Sequence, residues 1–442
     1  MYANLPYEYI ILIGILRSLS WKDPTSIFFE PKRAHVPTYS AYRMHQAVRH
    51  AEFASPLVGT KIRVNSHNPP ELCIGIPSVR REGVSYLKLA LGSLQQGLSP
   101  EERMSLHFVV LLAHINQTEH PDYGQPWLAG MADEIVSYQD NEHRLRLAEK
   151  VESQNHAVKS KFDYSIVMEE CAKTEAPYIL MIEDDVVFLD GWRHRTIAAL
   201  KTATAKSWEA GRAHCESFSW STHMTPYNLN LSSLTTPLCK VLYLRLFYYE
   251  GLLGWNSESW PTYLVSSLAV ETIVFSVLVM TRRYVARTWL TQTTLLLITF
   301  VFTPLLIILF FVGGRNFMLP QPTGVHAMDK YACCGQGLVF PRSTVTQDLL
   351  PWFQKNTWSM ISTDSFIEDY ADMTGALRWA LTPVVMQHVG GQSSHNGRRG
   401  NTFEPTRLWN YGFEENDAAK LAEEHAHAQY QLIKDLDIQS TV

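Results

Sequence analysis

Residues 178–186 read Tyr178-Ile179-Leu180-Met181-Ile182-Glu183-Asp184-Asp185-Val186, an apolar run that ends in three successive carboxylates. The run has no polar face, which suits a strand covered on both sides of a parallel sheet. Three adjacent carboxylates repel one another, and a cation is the simplest offset; a solvated acidic turn is the plain alternative. In open α/β sheets ligands bind beyond the carboxyl ends of the strands, where this trio stands.

Working outward, the same half of the chain alternates strands and helices. Residues 71–76 and 106–113 (LHFVVLLA) read as apolar strands and 135–138 as a shorter one, with helices at 84–98 and 162–172. That alternation predicts an α/β fold with a doubly wound sheet. Further along, Gly335-Gln336-Gly337 precedes another strand. Helices are expected at 344–352 and 364–371, a strand at 382–389 (TPVVMQHV), and a charged, peripheral helix at 417–435.

Between these halves lie two strongly apolar runs, 261–280 and 290–313, the first with one charge, Glu271, and the second with none. About 20 apolar residues suffice to cross a bilayer; a buried helical hairpin of a soluble protein is the other reading. Pro304 is tolerable in a membrane helix as a kink. The link, 281–289, carries Arg282, Arg283 and Arg287 and no acid, so the positive-inside rule places it in the cytosol. Both polar flanks then share the opposite side and can form one domain. Such a chain divides into an apolar N-terminus (1–20), a stem (21–66), a first sheet half (67–260), the hairpin (261–313), a second sheet half (314–412) and a helical tail (413–442). The apolar stretch Tyr9–Leu16 is too short to span; it reads as a shortened anchor, an interfacial helix or a poorly ordered apolar end. Lys32 to Arg49, with Arg33, Arg43 and His45, falls in the stem. Residues 216–241, rich in Ser, Thr, Asn and Pro, read as an irregular polar loop.

The 442 residues carry a net charge of -5, so no basic field recruits nucleic acid. Of six cysteines, Cys73 lies mid-strand and is expected to be a buried thiol. Asn116-Gln117-Thr118 and Asn230-Leu231-Ser232 are glycosylation sequons.

Chemistry concentrates on few residues. Glu183, Asp184 and Asp185 offer hard oxygen ligands for Mg²⁺ or Mn²⁺. His388, near the end of the 382–389 strand, could join them, and imidazole suits Mn²⁺ better; alone it reads equally as a core histidine. Arg80 and Arg81 follow the first strand and could meet phosphate, or form an ordinary basic loop. Lys161, Asp163 and Tyr164 could face a nucleoside or cap a helix. The glycines around Gln336 permit close backbone approach to a ligand, or a simple turn. Asp364, with Glu368 and Asp369 behind it, opens a helix and could act as a base or as a cap.

The strand–Glu183-Asp184-Asp185 motif resembles that of GT-A glycosyltransferases, and Gln387-His388-Val389-Gly390 with Ser393-Ser394 looks like the metal-histidine segment of N-acetylglucosaminyltransferase IV-like enzymes. The internal hairpin, with Phe162-Asp163-Tyr164, residues 242–247 and 253–258, and Cys333-Cys334-Gly335-Gln336-Gly337, resembles the post-GPI-attachment GalNAc transferase family of the Golgi over roughly residues 70 to 412. The resemblance implies a GT-A-like domain with a mixed sheet, interrupted by a transmembrane hairpin and facing the lumen of the Golgi membrane. It implies inverting, metal-dependent transfer from UDP-GalNAc to the mannose core of the GPI glycan of GPI-anchored proteins at the lipid bilayer. It further implies Asp184, Asp185 and His388 on Mn²⁺ (or Mg²⁺), Arg80, Arg81, Lys161, Asp163, Tyr164, Glu183 and Asp184 around the UDP-sugar, Gln336 and Gly337 at the acceptor, and Asp364 as base. N-glycan branching by a GlcNAc transferase, whose family lacks the hairpin, and a non-catalytic membrane scaffold with a decayed transferase domain are the competing functions.

The topology is open to a direct check. Glycosylation acceptor sites inserted before Trp260 and after Gly314 are expected to be modified in the lumen, and a site between Thr281 and Trp289 is not. Modification on one flank alone would show that the two halves lie on opposite sides.

Overall fold

Strands without a polar face need cover on both sides, and the sheet provides it. The computed structural model describes residues 5–54, 69–221, 240–285, 290–328, 335–391 and 408–440. The expectations for 222–239, 286–289, Cys333, Cys334, Ser393 and Ser394 lie outside them. The strands are β1 (Leu72–Ser78), β2 (Leu106–Leu112), β3 (Glu134–Val136), β4 (Tyr178–Met181), β5 (Val186–Phe188), β6 (Val241–Arg245), β7 (Gly324–Ala327), β8 (Leu338–Pro341), β9 (Leu377–Thr382) and β10 (Met386–His388). Eight form one mixed sheet in the order β3-β2-β1-β4-β8-β6-β9-β7, and β5 pairs with β10 in a separate two-stranded ribbon. From β3 to β4 every pairing is parallel, so the carboxyl ends of β1, β2 and β4 share one edge. β8 runs antiparallel to β4 and β6.

The chain resolves into two compact units, Met1–Val36 with Tyr249–Gln321, and Pro37–Tyr248 with Pro322–Val442. The second holds the whole sheet. Its helix His156–Lys173 starts at Asn155, whose side chain accepts from the Ala157 amide, and buries Val167, Met168 and Cys171 against the strands. Cys73 of β1 and Cys171 of this helix form a disulfide, so Cys73 is a bonded cysteine and not the free buried thiol its mid-strand position suggests.

Three further expectations change. The strand expected at 382–389 shortens to β10, which leaves the main sheet to pair with β5; an unexpected strand, β9, precedes it and ends at Thr382, where a cis peptide leads into Pro383. The stretch read as a stem contains the helix Tyr39–Ala54, which belongs to the sheet unit. Arg43 is 1% exposed and donates to the carbonyls of Phe188 and Ser93 at 2.9 and 3.0 Å, while a Cβ on Gly92 would lie 2.3 Å from the Ala47 carbonyl oxygen. The segment assigned to a polar loop begins instead as helix, since Trp192–Ser221 is continuous.

The other unit gathers the apolar helices. Trp260–Tyr284 is one helix; the second run is Gln292–Leu297, a π-helical turn Ile298–Phe302, and Thr303–Val312. Pro304 has no N–H and crowds the preceding turn. The wider turn relieves it, and the Thr303 hydroxyl donates to the Ile298 carbonyl at 3.0 Å. Both runs are long and apolar enough to cross a membrane; none of the most apolar window of the first is buried in protein, and 22% of the second is. A core helix of a soluble fold is mostly buried, and neither window is. Trp255 packs on Tyr263, Phe310 and Phe311 with ring centroids 4.9–5.4 Å apart, tying the two helices at one end. The N-terminal apolar stretch is the helix Leu5–Ser20. Its Tyr9 hydroxyl donates to Leu305 O at 3.0 Å and its Ser20 hydroxyl to Gly313 O at 3.2 Å, so it runs parallel to Thr303–Val312.

The C-terminal helix Ala418–Ser440 is charged as expected but not peripheral. His425, 4% exposed, faces Asp190 at 2.6 Å and Glu102 at 3.0 Å, and Glu424 pairs with Arg195 at 2.5 Å. Burial alone would lower His425, but its bonds to Asp190 and Glu102 push it up to about 9. Burial would raise Glu102, and its bonds to His425, Gln429 and the Ser99 amide hold it down at about 2. A raised histidine stabilises fully below its ordinary 6.5 and loses that contribution as pH climbs through about 9. A depressed carboxylate stabilises fully above its ordinary 4.5 and loses that as pH falls through about 2. Removing the cation leaves Asp190 without it and Glu102 with only Arg193 at 3.9 Å as a counter-charge, so His425→Leu is expected to cost about 3 kcal/mol near pH 6. Followed by thermal unfolding in detergent, the difference from wild type should close as pH passes 9; a pH-independent gap would mean the side chain only packs.

Candidate metal centre

The acids stand where β4 ends and the chain turns into β5. Because β5 pairs antiparallel with β10, His388 lies opposite Val186 and the Val389 amide donates to the Asp185 carbonyl at 2.9 Å. This ribbon brings His388 Nε2 to 3.3 Å from Asp185 Oδ2. Glu183, Asp185 and His388 each offer a ligand atom within 4.8 Å of the others. Gly390 leaves the necessary room, since a Cβ there would fall 2.2 Å from Asp185 Oδ2.

Asp184, expected among the metal ligands, faces elsewhere. Its Oδ2 accepts from the Ser78 hydroxyl at 2.5 Å, and its Oδ1 sits 2.6 Å from an Arg81 guanidinium nitrogen. Asp184 and Asp185 lie in the turn between β4 and β5, and that turn sends Asp184 to the end of β1 while Glu183 and Asp185 meet beside His388. His120 extends this contact. Its Nδ1 accepts from the Asp122 amide at 3.2 Å, which leaves the proton on Nε2 to donate to Ser78 Oγ at 3.0 Å. Ser78 and His120 were not singled out from the sequence; the position of Ser78 at the last residue of β1, on the same sheet edge as the acids, was the available signal.

Arg81 neutralises the cluster, with its second nitrogen 3.1 Å from Asp185 Oδ2. Arg80, by contrast, is exposed. Burial and then the Asp185 charge push Glu183 up to about 7, against the opposing effects of His388, Gln336 and Arg81. Burial also raises Asp184, with Arg81 opposing. Burial would raise Asp185 too, but the charge and hydrogen bond of His388, and then Arg81, hold it well below the usual range. The same pairing raises His388 against its own burial. Asp185 Oδ1 and His388 Nδ1 are buried without a hydrogen-bond partner among the described residues. Two orphaned acceptor-capable atoms beside a raised carboxyl fit a divalent cation, and a mixed nitrogen and oxygen set suits Mn²⁺ more than Mg²⁺.

The remaining candidates divide. Gln336 Nε2 donates to Glu183 Oε2 at 3.1 Å and so positions an acid. Gly337 has φ +70 and lies under Met386, a turn residue. Lys161 is 2% exposed and donates to the Ser359 carbonyl; Asp163 is bound by Tyr138 and Lys159. Both are engaged by partners within the protein. Tyr164 stacks on Phe353 with its hydroxyl buried and unpartnered. Burial first, then the charges of Glu183 and Asp364 against that of Arg245, push its phenol well up, which places both acids near it. Asp364 and Glu183 also converge on Gly335, whose Cβ position is 3.8 Å from Asp364 Cβ and from Glu183 Oε1. Ser362, not Asp364, is the N-cap. Asp364 Oδ1 accepts from the Ser365 amide at 2.8 Å and from the Ser362 hydroxyl at 2.5 Å, leaving Oδ2 without a partner among the described residues. Glu368 is committed to Arg245 and Arg378, at 2.8 and 2.7 Å, and Asp369 is exposed.

No family model matches the chain, and no curated protein matches it.

Ligation separates Asp184 from its neighbours experimentally. Titrating Mn²⁺ into the detergent-solubilised chain, with free Mn²⁺ followed by EPR, is expected to show binding lost in Asp185→Asn and His388→Ala. Asp184→Asn, which acts only through Ser78 and Arg81, should weaken binding about tenfold. Equal loss in all three would return Asp184 to the ligand set.

Proposed function

We propose that the chain is an inverting, metal-dependent glycosyltransferase of the GT-A type, embedded in the Golgi membrane through a hairpin at 261–313. In this reading it transfers GalNAc from UDP-GalNAc to the mannose core of GPI anchors. The observation that carries the reaction class is the convergence of Glu183, Asp185 and His388 at the carboxyl edge of the sheet, with Asp364 facing them across Gly335. The choice of sugar and acceptor rests on the family resemblance alone.

A divalent ion held by Glu183, Asp185 and His388 would neutralise charge on the departing diphosphate. The protein supplies the rest. Asp364 Oδ2 takes the proton of the acceptor hydroxyl as that oxygen bonds to the anomeric carbon. The bond from that carbon to the β-phosphate oxygen breaks on the opposite face, and UDP leaves with the electron pair. Arg81, now paired with Asp184 and Asp185, is placed to follow the negative charge onto the phosphates. The disulfide between Cys73 and Cys171 supports an oxidising, lumenal setting for the sheet unit.

Purified protein with a panel of UDP-sugars and with GPI and N-glycan acceptors tests this directly. Asp364→Asn should lower transfer by about 10²–10⁴-fold with Mn²⁺ binding intact. Full transfer by that variant would remove Asp364 from the chemistry, and transfer to N-glycans alone would replace the acceptor.

A further inference from the structure

Between the helix ending at Lys355 and the one starting at Thr363, the loop Asn356-Thr357-Trp358-Ser359-Met360-Ile361-Ser362 carries no charge. Its large apolar side chains face outward: Trp358 is 52% exposed, Met360 72% and Ile361 43%. Its polar groups are turned back to hold it in place. Lys161 donates to the Ser359 carbonyl, the hydroxyls of Ser160 and Thr363 are bonded at 3.0 Å, Asn356 donates to Trp352 O and Thr357 to Gln354 O, each at 2.9 Å. A loop facing water ordinarily does the reverse, covering its apolar groups and hydrating its polar ones. Here a nearly buried lysine is spent on fixing a display of an indole, a thioether and a branched aliphatic chain.

We infer that this loop is a bilayer-contact element, with Trp358, Met360 and Ile361 seated at the boundary between headgroups and acyl chains. The inference rests on the membrane reading proposed above. Three features favour lipid over a glycan or a protein partner. Tryptophan prefers the membrane interface. Glycan recognition needs directed polar groups around an aromatic ring, and those of this loop are already engaged beneath it. The same chain carries two helices long and apolar enough to cross a membrane, so a bilayer is present wherever this loop works. Asp364 follows Ile361 by three residues and is fixed by the Ser362 hydroxyl, so contact of the loop with lipid brings the candidate base to the headgroup layer. An acceptor anchored in the same leaflet would meet the base there.

The test uses the full chain in phosphatidylcholine nanodiscs. Benzoylphenylalanine replacing Trp358 or Met360 should, on irradiation, give a phospholipid adduct by mass spectrometry. The same group at Tyr430, which is 65% exposed on the C-terminal helix, should not. Absence of lipid adducts at both loop positions overturns the proposal. A second arm compares wild type with the combined Trp358→Ser, Met360→Ser, Ile361→Ser variant. KM for an acceptor anchored in the nanodisc should rise about tenfold while turnover of a water-soluble glycan fragment is unchanged. Equal loss on both acceptors would assign the loop to glycan binding and overturn the proposal. If wild type transfers no sugar at all, the glycosyltransferase reading fails, and the lipid adduct alone decides the loop.

Discussion

Three carboxylates in sequence at the end of a buried strand must be balanced by positive charge, and the surrounding fold is arranged to do so. Arg81 comes from the turn after β1 and His388 from β10, and each closes on Asp185. Asp184 is turned onto Ser78, itself held by His120. The ribbon of β5 with β10 exists apart from the main sheet, and it is this ribbon that sets His388 against the acids. Gly390 then has no freedom to be another residue, because any side chain would displace the Asp185 carboxylate. The balance is incomplete: Glu183 is pushed up and Asp185 Oδ1 is orphaned. A largely buried group of acids that remains short of positive charge is one that a cation would balance.

Much of this was legible because apolar runs and charge clusters leave strong traces. Leu106–Leu112 and Tyr178–Met181 declare buried parallel strands, and the acid trio announces the edge where a ligand would sit. What escaped was decided by tertiary partners. β9 carries Arg378 in its interior, and its apolar pattern was too weak to be read until Glu368 is seen pairing with that arginine. Cys73 gave no hint of Cys171, which is 98 residues away and one of five possible partners. The helix Tyr39–Ala54 reads as basic stem because Arg43 looks solvated; in fact backbone carbonyls receive it in the interior. The tail looks peripheral for the same reason, since the value of His425 lies in Glu102 and Asp190. In each case a polar side chain is buried because a specific partner is there, and no local pattern records that.

The site residues follow the same division. Position relative to strand ends marks Asp185 and His388 as neighbours, whereas the choice between Glu183 and Asp184 depends on the path of the turn between β4 and β5, which no local pattern records. Lys161, Asp163 and Glu368 were attractive as charged residues near helix starts and strand ends. Each proves to be engaged by internal partners. A charged side chain already satisfied has little left to offer a substrate, and Asp364, with one oxygen held and the other open, differs from them in that respect.

The apolar helices divide the sheet unit in the order of synthesis as well as in sequence. Strands β1 to β6 precede them, and β7 to β10 follow. Glu183 and Asp185 are therefore made before the apolar helices, and His388 after. A nascent chain that ends at the apolar helices has two of the three grouped side chains and lacks β8, the strand that links β4 to β6. Bringing the acids and the histidine together is thus deferred to the last quarter of translation, so an incomplete chain cannot assemble this cluster and needs no separate segment to keep it apart.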